Sequence, residues 1–283
     1  EAIKMAPLVK EFQRHTEFFE TKVCITAQHR EMLDQVLRFF DIKPDYDLNL
    51  MKPDQNLYSL TSKIIEFLKP ILEDFSPDYV FVHGDTTTTM AGSIASFYSG
   101  AKVCHVEAGL RTNNKLSPFP EEMNRQIATR ICDFHFTPTE NSKNNLILEN
   151  INKDSILVTG NTVIDALLSS VEKVNENPSE LISELSNKIV DKEVILVTAH
   201  RRENHGHGFE RICKALKQIA ADDLNRLIIY PVHLNPKVQD PVNKILSSVE
   251  NIILINPLSY KDFVWLMNRS KIIITDSGGI QEE

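Results

Sequence analysis

Apolar positions in this chain gather in short continuous runs: Lys22 to Thr26, Tyr79 to Val82, Val103 to Val106, Phe134 to Phe136 and Ile156 to Val158, then Val194 to Thr198, Leu227 to Tyr230, Ile252 to Ile255 and Ile272 to Thr275. Stretches with helical periodicity separate them. Continuous rather than alternating runs are the mark of parallel strands buried on both faces, with helices as the crossovers. The pattern therefore predicts an α/β protein of two doubly wound units. Between the two sets lies Glu172 to Lys192, rich in Glu, Asn, Ser and Lys, with a thin apolar stripe at Leu181, Ile182 and Leu185. It reads as a surface helix following the passage between domains 1–168 and 169–283.

Polar residues at the strand tips supply the candidate chemistry. Two runs end in His83-Gly84-Asp85-Thr86 and Glu107-Ala108-Gly109-Leu110-Arg111, and Pro120-Glu121-Glu122 precedes a new helix. Ligands of open α/β sheets sit at the carboxyl ends of the strands, so acidic residues there are favoured for chemistry. Asp85 also reads as a helix N-cap. Glu107, before Ala-Gly, makes a poor cap, and its side chain is expected to face the crevice. Proline and acidic residues suit a first helical turn, which explains at least one of Glu121 and Glu122. Arg125 is expected to pair with Glu121 one turn earlier.

Two later tips carry other chemistry. His200-Arg201-Arg202-Glu203-Asn204-His205-Gly206-His207 follows a buried run; His200 and its two Arg neighbours suit a diphosphate. His205 and His207 lie in a Gly-broken loop without nearby Cys, so no metal site is expected. Asp276-Ser277-Gly278-Gly279 opens onto another helix, where backbone N–H groups and the helix dipole favour phosphate, although a Gly pair also makes a plain tight turn. No Gly-x-Gly-x-x-Gly occurs, so bound NAD is not expected.

Composition narrows the picture. The chain has 283 residues, 42% hydrophobic and 25% charged, which suits two ordinary globular domains. A net charge of −8 with no basic run argues against a nucleic-acid partner. No apolar stretch is long enough to span a bilayer, so no membrane partner is expected and the cytoplasm is the expected compartment. Cys24, Cys104, Cys132 and Cys213 are scattered and read as buried thiols kept reduced.

Taken together, His83-Gly84-Asp85 with its Thr run, Val106 to Thr112, Pro120-Glu121-Glu122-Met123-Asn124-Arg125, Thr159-Gly160-Asn161-Thr162, Thr198 to Glu203, Tyr230-Pro231-Val232-His233 and Asp276 to Glu283 closely resemble the non-hydrolysing UDP-N-acetylglucosamine 2-epimerases of bacteria. The resemblance implies two Rossmann-like domains facing a cleft, the glycosyltransferase-B architecture, and interconversion of UDP-N-acetylglucosamine with UDP-N-acetylmannosamine by elimination and re-addition of UDP. It implies no cofactor and no metal. By the same resemblance Asp85, Glu107, Glu121 and His200 are the catalytic residues, the three carboxylates as the acid/base set and His200 as a diphosphate contact and candidate proton donor. Substrate binding falls to Lys4 and Arg125, to Ser277, Gly278 and Gly279 at phosphate, to Glu283 at ribose, and to Phe263 near uracil. Phe263 also has a core reading, since Phe263, Leu266 and Met267 share helical spacing. Gln28, His29, Glu31 and Gln55 resemble a regulatory pocket for activation by the substrate itself, and a homodimer is usual for the family.

Family members begin with a strand and a Gly-Thr-Arg-Pro turn before the residues that open this chain, and continue beyond its last Glu. The expectation is of a fold truncated at both ends, poorly stable or inactive alone. Competing readings are a hydrolysing 2-epimerase, a glycosyltransferase, and a non-catalytic UDP-sugar binder.

Overall fold

The computed structural model describes residues 1–27, 30–50, 56–176, 178–199, 201, 204 and 206–283, with the backbone alone at 31 and 32. The chain divides into two compact units, Glu1–Thr162 and Val163–Glu283. In the first, α1 (Ala2–Arg14), β1 (Cys24–Ile25), α2 (Arg30–Phe39), β2 (Tyr46–Asp47) and α3 (Leu57–Phe75) precede a regular alternation of β3 (Tyr79–His83), α4 (Thr87–Ser99), β4 (Lys102–Val106), α5 (Glu121–Ile131), β5 (Phe134–Thr137), α6 (Glu140–Leu148) and β6 (Ile156–Val158). These last four strands form one parallel sheet in the order β3-β4-β5-β6, while β1 and β2 pair separately. Val103, Cys104, His105 and Val106 are all buried, as a continuous run between two covered faces requires.

Two expectations change here. The run from Lys22 supplies only the two-residue β1, and its partner β2 was not foreseen. Among the described residues β1 pairs with β2, and Cys24 is exposed while Cys104, Cys132 and Cys213 are buried. Burial pushes the thiols of Cys104 and Cys213 up to about 11 and that of Cys132 to about 12, so all three stay protonated and inert.

The second unit holds α7 (Thr162–Glu176, beginning one residue before the boundary), α8 (Glu180–Lys188), β7 (Glu193–Thr198), α9 (His207–Asp222), β8 (Arg226–Pro231), α10 (Pro236–Leu246), β9 (Ile252–Ile255), α11 (Tyr260–Arg269), β10 (Ile272–Thr275) and α12 (Gly278–Glu282). Its core joins Ile195 and Val197 of β7, Ile228 and Tyr230 of β8, and Phe209, Cys213 and Leu216 of α9. The segment expected as a surface helix is more tightly held. Ile182 and Leu185 of α8 are buried, α8 packs on α11, and its N-cap Ser179 donates to Asp262 at 2.5 Å.

The strand order β10-β7-β8-β9 carries the functional consequence. The chain winds outward from β7 through β8 to β9, then returns to the other side of β7. That reversal is a topological switch point, where the carboxyl ends of adjacent strands leave room for a ligand.

Candidate active site

In the first unit, β3 and β4 run side by side with His83 opposite Val106, so their tips are neighbours. Gly84 N–H donates to Val106 O at 2.9 Å, and the buried His105 donates Nε2–H to Gly84 O at 2.7 Å. Burial pushes the His105 imidazolium down to about 4 despite that bond, so the ring is a neutral prop beneath the turn. Thr86, not Asp85, caps α4, accepting from Thr89 N–H at 3.3 Å. The cap reading of Asp85 is thereby replaced, and its carboxylate is left for other work.

Glu107 stands at the end of β4 with φ +63°, a left-handed conformation that a non-glycine residue adopts at a cost of about 1–2 kcal/mol. Its side chain is 12% exposed and is held through a single oxygen. Oε2 accepts from Lys4 Nζ of α1 at 2.7 Å and lies 2.9 Å from His83 Nε2. Burial by itself would raise this carboxyl; His83 and Lys4 outweigh burial and hold it down at about 2. Glu107 is therefore an ionised proton acceptor at neutral pH.

The strain at Glu107 is fixed by the segment behind it. Ala108 N–H donates to Phe136 O at 3.0 Å, and Gly109, at φ +85°, passes so close to α6 that a Cβ would stand 2.3 Å from Ser142 O. Arg111, almost wholly buried, grips Glu149 with two N–H donors at 2.6 and 3.0 Å and Thr129 Oγ1 at 2.9 Å. It anchors the loop between β4 and α5.

α5 reaches Asp85. Arg125 donates to the Asp85 carboxylate, and Asn124 Nδ2 donates to Asp85 O at 2.9 Å. Arg125 thus pairs with Asp85, and with Glu122 at 3.5 Å, rather than with Glu121 as expected from their spacing. Buried Glu122 is the structural member of the acidic pair. It accepts from Thr112 N–H at 3.0 Å, Asn113 N–H at 3.1 Å and Gln126 Nε2 at 2.9 Å, and although burial raises its pKa, these donors bring it below the usual carboxylate value. Glu121 in the first turn is half-buried and has no ion-pair partner among the described residues.

In the second unit Ser277, Gly278 and Gly279 follow β10 at the switch point. Thr198 at the end of β7 donates to Thr275 Oγ1 of β10 at 2.6 Å. Asp276 accepts from Arg201 N–H and Asn204 Nδ2, both at 2.9 Å, binding the loop after β7 to the loop after β10. Buried Tyr230 donates to Ala199 O at 2.7 Å and steadies the same loop from below. Gly278 and Gly279 open α12 with free space where side chains would stand. Phe263 is only half-buried while Leu266 and Met267 are buried, so the core reading holds for the latter two. Glu283 is half-buried, its charge acting on Tyr260.

His200, Gln28, His29 and Gln55 lie outside the described residues, as does the side chain of Glu31. Three contributors were not singled out from sequence: His83, Glu122 as a loop brace, and Asp276 as a clamp. His83 carried a readable signal, a titratable residue ending an apolar run next to the strand of Glu107. Among the described residues no group of His, Cys, Asp and Glu could hold a metal, and no helix is long and apolar enough to cross a membrane.

A family model described as UDP-N-acetylglucosamine 2-epimerase matches residues 10–283. The UDP-N-acetylglucosamine 2-epimerase of Salmonella typhimurium is 57% identical over 286 residues, covering 100% of this chain and 76% of that protein. Among solved structures, UDP-GlcNAc 2-epimerase from Neisseria meningitidis bound to UDP-GlcNAc is 52% identical with a TM-score of 0.83, covering 100% of this chain and 76% of that one. A putative UDP-N-acetylglucosamine 2-epimerase from Listeria monocytogenes is 46% identical with a TM-score of 0.92, covering 100% and 73%. These neighbours agree with the α/β class of two Rossmann-like units expected from the sequence.

Proposed function

Because the chain belongs to the UDP-N-acetylglucosamine 2-epimerases, we propose that it interconverts UDP-N-acetylglucosamine and UDP-N-acetylmannosamine without net hydrolysis. The observation that carries the reading is Glu107: buried, ionised, held through Oε2, and set on strained backbone at a strand tip adjoining that of Asp85. A protein that merely bound an anionic nucleotide would gain nothing from acidic groups so placed.

The C2 proton of the sugar has no neighbouring carbonyl to stabilise a carbanion, so its removal must accompany loss of the diphosphate. One carboxylate takes the C2 proton as the C1–O bond breaks, giving 2-acetamidoglucal and UDP. A second group returns a proton to C2 from the opposite face while the UDP oxygen adds back to C1. Asp85, Glu107 and Glu121 are assigned to this proton traffic as general acids and bases. His200, Lys4 and Arg125 are assigned to the charge of the leaving diphosphate, Ser277, Gly278 and Gly279 to phosphate, Glu283 to ribose and Phe263 to uracil. Family resemblance supports a cytoplasmic homodimer, activated by substrate through Gln28, His29, Glu31 and Gln55.

Proton NMR of UDP-N-acetylglucosamine with the protein in D2O tests the reading. Deuterium at C2 with UDP-N-acetylmannosamine signals is the expected result. Binding without exchange would move the assignment to a transferase or a sensor, and release of free N-acetylmannosamine would move it to a hydrolysing epimerase.

A further inference from the structure

His83 is a buried titratable group to which the proton chemistry above gives no part. Its side chain is 6% exposed, and neither ring nitrogen completes a hydrogen bond, although Nε2 is 2.9 Å from Glu107 Oε2. Buried polar atoms are nearly always satisfied, so an imidazole with both nitrogens orphaned against a carboxylate needs an explanation. A purely structural histidine is close by for comparison: His105 gives Nε2–H to Gly84 O.

The carboxylate shows what His83 does. Lys4 Nζ and His83 Nε2 both address Oε2, whereas Oε1 has no hydrogen-bond partner among the described residues. An ammonium that donates to Oε2 and an imidazole nitrogen 2.9 Å from the same oxygen engage one side of the carboxylate and leave the other oxygen open. We propose that His83 is a positioning residue for Glu107, holding Oε2 so that Oε1 is the oxygen that exchanges a proton with C2 of the sugar. This rests on the epimerase reading and deepens it. The contact at 2.9 Å lacks the angle of a hydrogen bond, and such bonds commonly close only in the substrate complex. The titratable groups facing Glu107 are Lys4 from α1 and His83 from β3, with the neutral His105 of β4 next to His83.

Three variants test it: His83→Phe, His83→Gln and Glu107→Gln, each checked for a cooperative melt. His83→Phe is expected to lower kcat about 100-fold with KM nearly unchanged, the scale of a misplaced catalytic group. His83→Gln keeps an N–H donor and is expected to recover part of that loss. In His83→Phe the acid limb of the kcat profile moves to higher pH, because Lys4 alone then opposes the burial of Glu107, and in His83→Gln it moves by less, because the amide still donates. In the Glu107→Gln background, His83→Phe is expected to add no further loss. Equal losses in both variants with an unmoved acid limb, or additive losses with Glu107→Gln, would overturn the assignment. Titration of the Glu107 carboxyl by carbon NMR decides it independently of turnover: a raised pKa in His83→Gln supports the proposal and an unchanged one refutes it. Absence of C2 exchange in the unsubstituted protein would count against the epimerase reading and leave that titration to decide the role of His83.

Discussion

Arg125 on α5 donates its guanidinium to the carboxylate of Asp85 beyond the tip of β3, and the same side chain lies 3.5 Å from buried Glu122. One cation therefore serves a candidate catalytic carboxylate and a structural one. Arg125→Ala removes both partners at once and leaves Glu122 charged and buried. Losing one member of a buried pair costs roughly 3–5 kcal/mol; exposure of Asp85 puts the expected loss near the lower end, about 3 kcal/mol, read from urea denaturation at neutral pH. Arg125→Lys is expected to restore little, since a point ammonium cannot span both carboxylates.

Glu121 and Glu122 are adjacent in sequence and opposite in role. Glu122→Gln removes the charge that two backbone N–H donors of the 112–113 turn require, and is expected to cost about 2 kcal/mol. Its carboxyl is lowered in the folded state, so its contribution is present above about pH 4.5 and lost as pH falls through the folded value. Glu121→Gln is expected to leave the melt unchanged and to reduce C2 exchange by roughly 100-fold or more. Parallel melts and exchange rates for the two variants separate the roles; a destabilised Glu121→Gln would assign it to the helix start instead.

How much of this was legible depends on whether a feature is local. β4 and β7 are buried on both faces, and their continuous apolar runs announced them within a residue of their true bounds. β2 left no trace, because Tyr46–Asp47 is two residues long and gains its pairing only from β1. The acidic tips could be read as candidates for the same reason as the strands that end in them. The partner of Arg125 could not: helical spacing nominates Glu121, whereas Asp85 lies 40 residues away in sequence and meets it only through the packing of α5 against the sheet. The return of β10 to the side of β7 is likewise a property of the whole sheet, and with it the clamp at Asp276.

Glu107 gives the protein a pH signature. Its folded value of about 2 lies below the ordinary 4.5, so it stabilises the fold fully above about pH 4.5 and progressively less as pH falls toward 2. The difference corresponds to roughly 3 kcal/mol at most. Unsubstituted protein should lose stability over this window relative to Glu107→Gln. Lys4→Met should flatten the difference by returning the carboxyl toward its ordinary value. Identical acid unfolding of all three would show that the ion pairs contribute nothing.

Gly109 and Gly100 share a left-handed φ, +85° and +83°, but differ in surroundings. An alanine at Gly100 meets open space and is expected to cost about 1 kcal/mol, the penalty of the conformation alone. At Gly109 the added Cβ meets Ser142 O at 2.3 Å and must push α6 away from the loop that carries Glu107. Gly109→Ala is expected to cost more than about 3 kcal/mol and to depress turnover in whatever fraction stays folded. Thermal melts of the two variants, differing by roughly 4–8 °C or more on the usual scale for a unit of this size, would bear this out.

Asp276 tests the second unit without touching the proton chemistry. Its Oδ2 accepts from both Arg201 N–H and Asn204 Nδ2, so one oxygen ties these two residues after β7 to the strand end that leads into Ser277 and Gly278. Asp276→Ala removes the tie and leaves the strands intact, since Thr198 still meets Thr275. A loop freed in this way must be ordered again on binding, at about 0.5–1.5 kcal/mol per immobilised side chain. Calorimetric titration with UDP should therefore show affinity reduced by roughly 10-fold. Asp276→Asn should fall between the two, because its amide still offers an acceptor but no charge. Unchanged UDP affinity in Asp276→Ala would mean that the loop after β7 takes no part in holding the nucleotide, and would remove His200 from the diphosphate contacts with it.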